Sequence, residues 1–367
     1  MKIVFVTQTL DPEHAALAQT VDLVRALAAR ADEVAVACRT VETTELPANV
    51  TVRTFDAATK LGRGLAFERA LLPLLPGADA VLVHMIPTFA LLAAPAARAR
   101  RVPLLLWYTH WNASRSLRAA VRVCDAVLSV DRSSVPVDSP RVRGIGHAID
   151  VQLFDAPAPE PHEGPLRLAA FGRLARWKGS STLLAALSLA VAQGLDATLE
   201  LRGPALTDDE RAHRDELAAA IAADPVLAAR VTLAGPLNRA GIAERLRDVD
   251  VFVSPHEPRA GATLDKAVYE AAASSRPVVT TNAALAPFLA GLPLELLVPA
   301  RDPAALAAAL VAVGAAGPVT RAAIGDELRR RVVAEHSLDH WADAVISVIG
   351  QVRSGRVTAR SGRRSSG

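Results

Sequence analysis

Short β-branched apolar runs alternate with longer Ala/Leu segments along the whole chain. In the first half the short runs stand at 2–7 (KIVFVT), 33–38 (EVAVAC), 50–54, 80–84 (AVLVH), 103–108 (PLLLWY) and 126–130 (AVLSV). Their length and bounding residues predict strands. Between the first two, Leu17, Val21, Val24 and Leu27 recur at helical spacing, and the Ala/Leu-rich stretches 89–99 and 115–123 read as helices. Such alternation predicts βαβ units and a parallel sheet. The pattern stops at 155–165 (DAPAPEPHEGP), which holds four prolines and no apolar period and reads as a linker. It then restarts, with strands expected at 166–171, 198–202, 231–234, 250–253, 277–281 and 296–298. The expected architecture is α/β, with domains at 1–154 and 166–335. Two successive α/β domains leave a cleft into which parallel strand ends open, and ligands prefer such places.

Length changes little in this picture: 367 residues suit two domains at roughly 150 each. With 51% hydrophobic residues, two cores fill without disulfides. Cys38 and Cys124 are isolated, have no metal-type spacing, and read as small buried hydrophobes in a reducing, cytoplasmic setting. Charge changes more. The net +3 includes five arginines and no acid in the tail 353–367 (RSGRVTARSGRRSSG), so the remaining body carries −2. A nucleic-acid footprint across the body is excluded on that balance. The tail has little apolar surface and is expected to be disordered, a solvated terminus or one that touches anionic lipid or RNA. No apolar run approaches ~18 residues, and MKIVFVTQTL reads as a first strand rather than a secretory signal.

Several chemistries are excluded by their own spacing. A dinucleotide site needs glycines in the first βα turn, and none precedes Gly62. RGIGHAID has Ile149 at its third glycine position, and a Walker A loop needs glycine where Trp177 precedes Lys178. HEPRA at 256–260 lacks the second His of a zinc protease, there is no G-x-S-x-G elbow, and DVD at 248–250 reads as a helix end rather than a metal-holding pair.

One turn remains. Only four lysines stand among 41 basic residues, and one of them lies in FGRLARWKGSSTLL, 171–184. A strand runs into Gly172. Arg173, Lys178 and Gly179 follow, and a helix begins that Ser180 or Ser181 can cap, with Gly194 at its end. A helix start offers amides and partial positive charge, Gly179 admits a ligand close to the backbone, and two cations complete a diphosphate site. An ordinary βα turn with two solvated cations would carry the same residues. A second lysine, Lys266, lies in SPHEPRAGATLDKAVYEAAASSRPVV, 254–279, between Asp265 and Glu270 on an expected helix. A carboxylate there can accept from two sugar hydroxyls, or Glu270 can simply pair with Lys266 at i, i+4.

Together these segments resemble the retaining glycosyltransferases of family 4, which have the GT-B fold of two Rossmann-like domains with parallel sheets facing across a cleft. FGRLARWKGSSTLLAAL is similar to the family's G-R-L…K-G…L-L-x-A, and DVFVSP…EAAASSRPVV to its D-x-F-V-x-P-S…E-A-M-A-x-G-x-P-V-V. GHAIDVQLF (146–154) and LVPARDPAALAAAL (297–310) resemble two further segments of the family. The resemblance implies that Arg173 and Lys178 serve the donor diphosphate, with Gly172 and Gly179 beside it, and that Glu270 binds the donor ribose. It implies catalytic roles for Arg173, Lys178 and His110, the last in WYTHWNASR. The first Glu of the family's E-x7-E is Ala262 here, and Gly261, Asp265, Lys266 and Glu270 read as a G-x-x-x-D-K-x-x-x-E variant that contacts substrate. The two-glycine loop of the amino terminus is replaced by QTLDPEHAALAQT, which points to Asp11, Glu13 or His14 for acceptor or sugar, with His14 taken as the substrate-binding candidate. Trp107, Tyr108 and Trp111 cluster by His110, as a sugar platform or as a buried aromatic group.

The implied reaction moves a sugar from a nucleotide-diphosphate sugar to the hydroxyl of a glycan, lipid-linked or small-molecule acceptor, with retention. No metal or other cofactor is expected. A helix over 336–352 is expected to return to the first domain. The competing readings are a sugar-nucleotide epimerase or hydrolase on the same fold, and a non-catalytic sugar-nucleotide-binding protein. Arginines near the apolar helices (ARARRVP, 97–103) add an expectation of contact with the cytoplasmic face of a membrane.

Overall fold

A computed structural model describes residues 1–14, 17–43, 45–110, 112–257 and 265–364. They form two compact units, Met1–Ala148 with Glu335–Gly367, and Ile149–Ala334.

The first unit contains β1 (Lys2–Val6), β2 (Thr9–Leu10), β3 (Glu33–Cys38), β4 (Thr40–Val41), β5 (Val50–Thr54), β6 (Ala80–His84), β7 (Leu104–Trp107), β8 (Ala126–Ser129) and β9 (Val142–Gly144). Seven of them make a parallel sheet in the order β5-β3-β1-β6-β7-β8-β9, and β2 pairs with β4 beside it. Helices Lys60–Leu71, Pro87–Ala99 and Arg115–Val123 close one face, where Val4, Val6, Val81 and Val83 meet Phe67, Ala90, Leu117 and Ala120. Strand side chains alternate between faces. Trp107, next to Leu106 of that cluster, therefore turns the other way and meets the fully buried Trp341 edge-on at 5.8 Å. Trp341 belongs to the last helix, Leu338–Arg364. Arg30 fastens this helix through Asp339 at 2.8 Å and Asp343 at 2.5 Å.

The second unit contains β10 (Leu166–Phe171), β11 (Ala197–Arg202), β12 (Val231–Ala234), β13 (Val251–Ser254) and β14 (Val278–Thr280), in the parallel order β12-β11-β10-β13-β14. Each sheet reverses its order once, between β1 and β6 and between β10 and β13. The crevice outside the carboxyl ends of the two strands at such a point is where open α/β sheets bind ligands.

Three expectations change. The run 296–298 is not a full strand; Leu297 makes a single bridge to Thr280. The second unit starts at Ile149 rather than 166, and the first sheet's unit breaks at Ala148 rather than 154: Ile149 and Phe154 are buried, and Arg329 reaches the Phe154 carbonyl and the Asp155 carboxylate. The final helix is longer than the expected 336–352 and runs through Arg364, while 365–367 of the expected tail lie outside the described residues. Its packed turns remove the nucleation cost, and arginine and alanine extend a helix readily. The 155–165 linker lies against its own unit, with His162 on Asp250 at 2.9 Å and Arg276 on the Pro157 carbonyl at 2.8 Å. Asp250 also takes the Arg167 amide and guanidinium. Burial alone would raise its pKa, but these bonds outweigh burial and hold it below the ordinary value. The DVD motif is thus an anchor after the helix Arg239–Leu246.

Candidate functional site

The turn after β10 is shaped by Gly179. Its φ of +73° is left-handed, and a Cβ there would lie 1.8 Å from the Pro255 carbonyl oxygen. Glycine alone lets these two backbones touch. The Glu257 amide donates to the Trp177 carbonyl at 2.8 Å and fixes the contact. The segment leaving β10 is thereby joined to the segment leaving β13, at the point where the second sheet reverses.

That junction brings Lys178 to Asp265. The ammonium donates to Asp265 Oδ2 at 2.7 Å, and Ser254 Oγ donates to the same oxygen at 3.3 Å. Burial by itself would raise the Asp265 pKa; the Lys178 charge and hydrogen bond, with His256 nearby, outweigh it and keep the carboxyl below its usual value. Lys178 Nζ also stands 5.0 Å from the Trp177 ring centre. A Cβ at Gly172 would meet the Lys178 Cε at 3.6 Å. Asp265 sits at the cap position of Lys266–Ala273, its carboxylate on Lys178 and Ser254, and the Ala267 amide adds a smaller pull that lowers its pKa.

Arg173 pairs with the buried Glu210, whose other oxygen accepts the Leu206 amide at 2.7 Å. Burial pushes the Glu210 pKa up, and the Leu206 amide and Arg173 bring it down further than that. The helix Ser180–Ala192 begins at Gly179 with no side-chain cap, which corrects the expectation that Ser180 or Ser181 fills that role. A glycine in the left-handed conformation occupies the position a capping serine would need. Lys266 pairs with Glu270 at 3.1 Å, and the Glu270 side chain is nearly buried. Gly261 and Ala262 lie outside the described residues, as does Trp111.

In the first unit, His14 and His110 line one cavity of about 450 Å³ at the β1–β6 reversal. His14 Nδ1 accepts the Leu17 amide at 3.0 Å, and His110 Nδ1 accepts the Asn112 amide at 3.1 Å. Trp107 is buried against Trp341, away from any platform role. Tyr108 is buried too, its hydroxyl on the Asn112 carbonyl at 2.9 Å, and burial raises its pKa.

Sequence reasoning missed three participants. Glu210 carries only the signal of a capping box, Thr207-x-x-Glu210, which announces a helix start and not a partner for Arg173. Ser254 has no signal beyond ending a strand. His84, in the same cavity as His14 and His110, ends β6; its Nδ1 is 3.1 Å from Thr7 Oγ1 and its ring stacks on Phe5. Burial pushes its pKa down to about 4, so the ring is neutral near pH 7. Met85 follows with φ +64°, a rare conformation for a non-glycine residue.

Residues 165–315 match the family model described as Glycosyl transferases group 1. Among solved structures, sucrose-phosphate synthase from Thermosynechococcus elongatus is 18% identical with a TM-score of 0.71, over 96% of this chain and 99% of that one. HepE from Anabaena, solved in complex with UDP and glucose, is 17% identical with a TM-score of 0.71, over 95% and 99%. A glycosyltransferase from Rickettsia africae is 14% identical with a TM-score of 0.75, over 96% and 98%. The chain has the GT-B fold of these glycosyltransferase structures, built from two Rossmann-like units. No curated protein matches by sequence.

Proposed function

We propose that the protein is a family 4 glycosyltransferase that moves a sugar, with retention, from a nucleotide-diphosphate sugar to an acceptor hydroxyl. The observation that carries this reading is the Lys178 ammonium held 2.7 Å from Asp265 beside a helix start that no side chain caps. An ammonium has three protons to donate, and Asp265 takes one. The others remain for phosphate oxygens, as do the further N–H groups of the Arg173 fork. Backbone amides of the first helical turn add donors and partial positive charge.

In the reaction the bond from sugar C1 to the phosphate oxygen breaks and a bond from C1 to the acceptor oxygen forms. Negative charge grows on the leaving diphosphate, and Lys178 and Arg173 stabilise it as it grows. The acceptor proton passes to that phosphate oxygen, so no separate base is needed. His110 and His14 serve the acceptor or the transferred sugar.

HepE was solved with UDP, which makes uridine nucleotides the first donors to test. A thermal-shift series with UDP, GDP, ADP and their sugar conjugates should give a rise in melting temperature for one base. Incubation of that donor with candidate acceptors should then release nucleotide only when an acceptor is present. A flat series overturns the reading, and equal release without acceptor favours a hydrolase. Glu270→Ala should weaken that nucleotide about tenfold by calorimetry, the worth of a charge-assisted bond to ribose. Equal affinity would leave Glu270 as the partner of Lys266 alone.

A further inference from the structure

The two units differ in charge. Residues 1–148 with 335–367 hold 22 basic against 16 acidic residues, whereas 149–334 hold 19 against 22. Five of those 22 are the arginines of 353–367, which leaves 17 against 16 in the rest of the unit, but within that near-even balance one layer is strongly cationic. The helices Lys60–Leu71, Pro87–Ala99 and Arg115–Val123 carry six arginines and a single acid, Glu68. Arg115, Arg118 and Arg122 recur at i, i+3 and i+7, so they share one helical face, and all three are exposed. Leu117, Ala120 and Val121 on the opposite face are buried in the core.

The helix at the other side of the layer presents leucine to solvent. Leu61 is 79% exposed, Leu65 57% and Leu72, just past the helix end, 38%. At i, i+4 and i+11 they also share a face, flanked by the exposed Arg69. Neither ridge contributes to the core below, which Phe67, Ala70 and Leu71 supply. Pro87–Ala99 packs between these two helices, with Pro95 and Arg98 exposed. Packed helices lie roughly 8–10 Å apart, which sets a leucine ridge and an arginine ridge about 20 Å apart on one surface.

We propose that this helical layer docks on an anionic lipid bilayer, the leucines entering the headgroup boundary and the arginines meeting lipid phosphates. The combination selects this partner. Arginines alone would suit any polyanion, but nucleic acid gains nothing from exposed leucines, and among the described residues this face presents no exposed aromatic ring for a base to stack on. An interfacial patch needs both apolar area and cationic charge. Among the described residues no single helix is long and apolar enough to cross a membrane.

Flotation of the full chain with vesicles tests this. Vesicles of phosphatidylcholine with phosphatidylglycerol should carry the protein up the gradient, and pure phosphatidylcholine should not. The triple variant Arg115→Glu, Arg118→Glu, Arg122→Glu should lower partitioning at least about 100-fold, since each arginine near an anionic surface is worth about a factor of five. Leu61→Ser with Leu65→Ser should lower it about tenfold while melting temperature holds, because both side chains are already in water. Three results overturn the proposal: no flotation, flotation indifferent to phosphatidylglycerol, or flotation that the leucine pair leaves unchanged. Gel-shift binding of single-stranded RNA as tight as vesicle binding, and blind to the leucines, would also replace the bilayer with a general polyanion.

Discussion

Lys178→Ala is expected to lower turnover by about 10²–10³ at saturating donor, the usual loss when one preorganised donor to a developing charge is removed. The reasoning rests on what holds the ammonium. Asp265 and the Trp177 ring fix its position, so it would need no rearrangement if charge builds on a departing phosphate. Asp265→Asn provides the second measurement. If Asp265 acts by orienting Lys178, the variant lowers kcat, and the double variant with Lys178→Ala is no worse than Lys178→Ala alone, because the two act as a unit. If Asp265 instead touches the donor sugar, Asp265→Asn raises KM with kcat little changed, and the losses add. Turnover of Lys178→Ala equal to that of the parent protein would remove this lysine from the chemistry.

Much of the fold was legible because its strands are short apolar runs and its helices carry long Ala/Leu periods. The run 166–171 is a strand over the same residues, and 80–84 likewise. What escaped was set by tertiary contact. Lys178 and Asp265 are 87 positions apart, and no local pattern says that one will bind the other. Both were singled out for a phosphate or sugar, yet their direct bond follows only from the close approach of Gly179 to Pro255. Arg173 was legible as a cation beside a turn, but its buried partner Glu210 was not, because its capping-box spacing describes the helix and not the neighbour. Trp107 was left between two readings: rare aromatics beside a His fit a platform or a buried group, and the alternation of β7 sends that ring into the core against Trp341.

The turn itself is open to a cleaner test, because the protein supplies its own control. Gly179 and Gly291 have nearly the same φ, +73° and +75°, and both belong to the second unit. A Cβ at Gly291 would meet nothing within 4 Å, whereas at Gly179 it would lie 1.8 Å from the Pro255 carbonyl oxygen. Gly291→Ala should therefore cost only the left-handed conformation, about 1–2 kcal/mol. Gly179→Ala costs that and must also push the two backbones apart, neither of which can rotate out of the way as a side chain would. Their separation breaks the geometry that places Lys178 on Asp265. Urea denaturation should show the larger loss of stability in Gly179→Ala, and nucleotide titration at a temperature where both variants are folded should show binding lost in that variant and kept in Gly291→Ala. Equal stability losses and equal nucleotide affinity would mean that the Pro255 segment yields freely. The close approach of the two strand ends would then not be what builds the phosphate site.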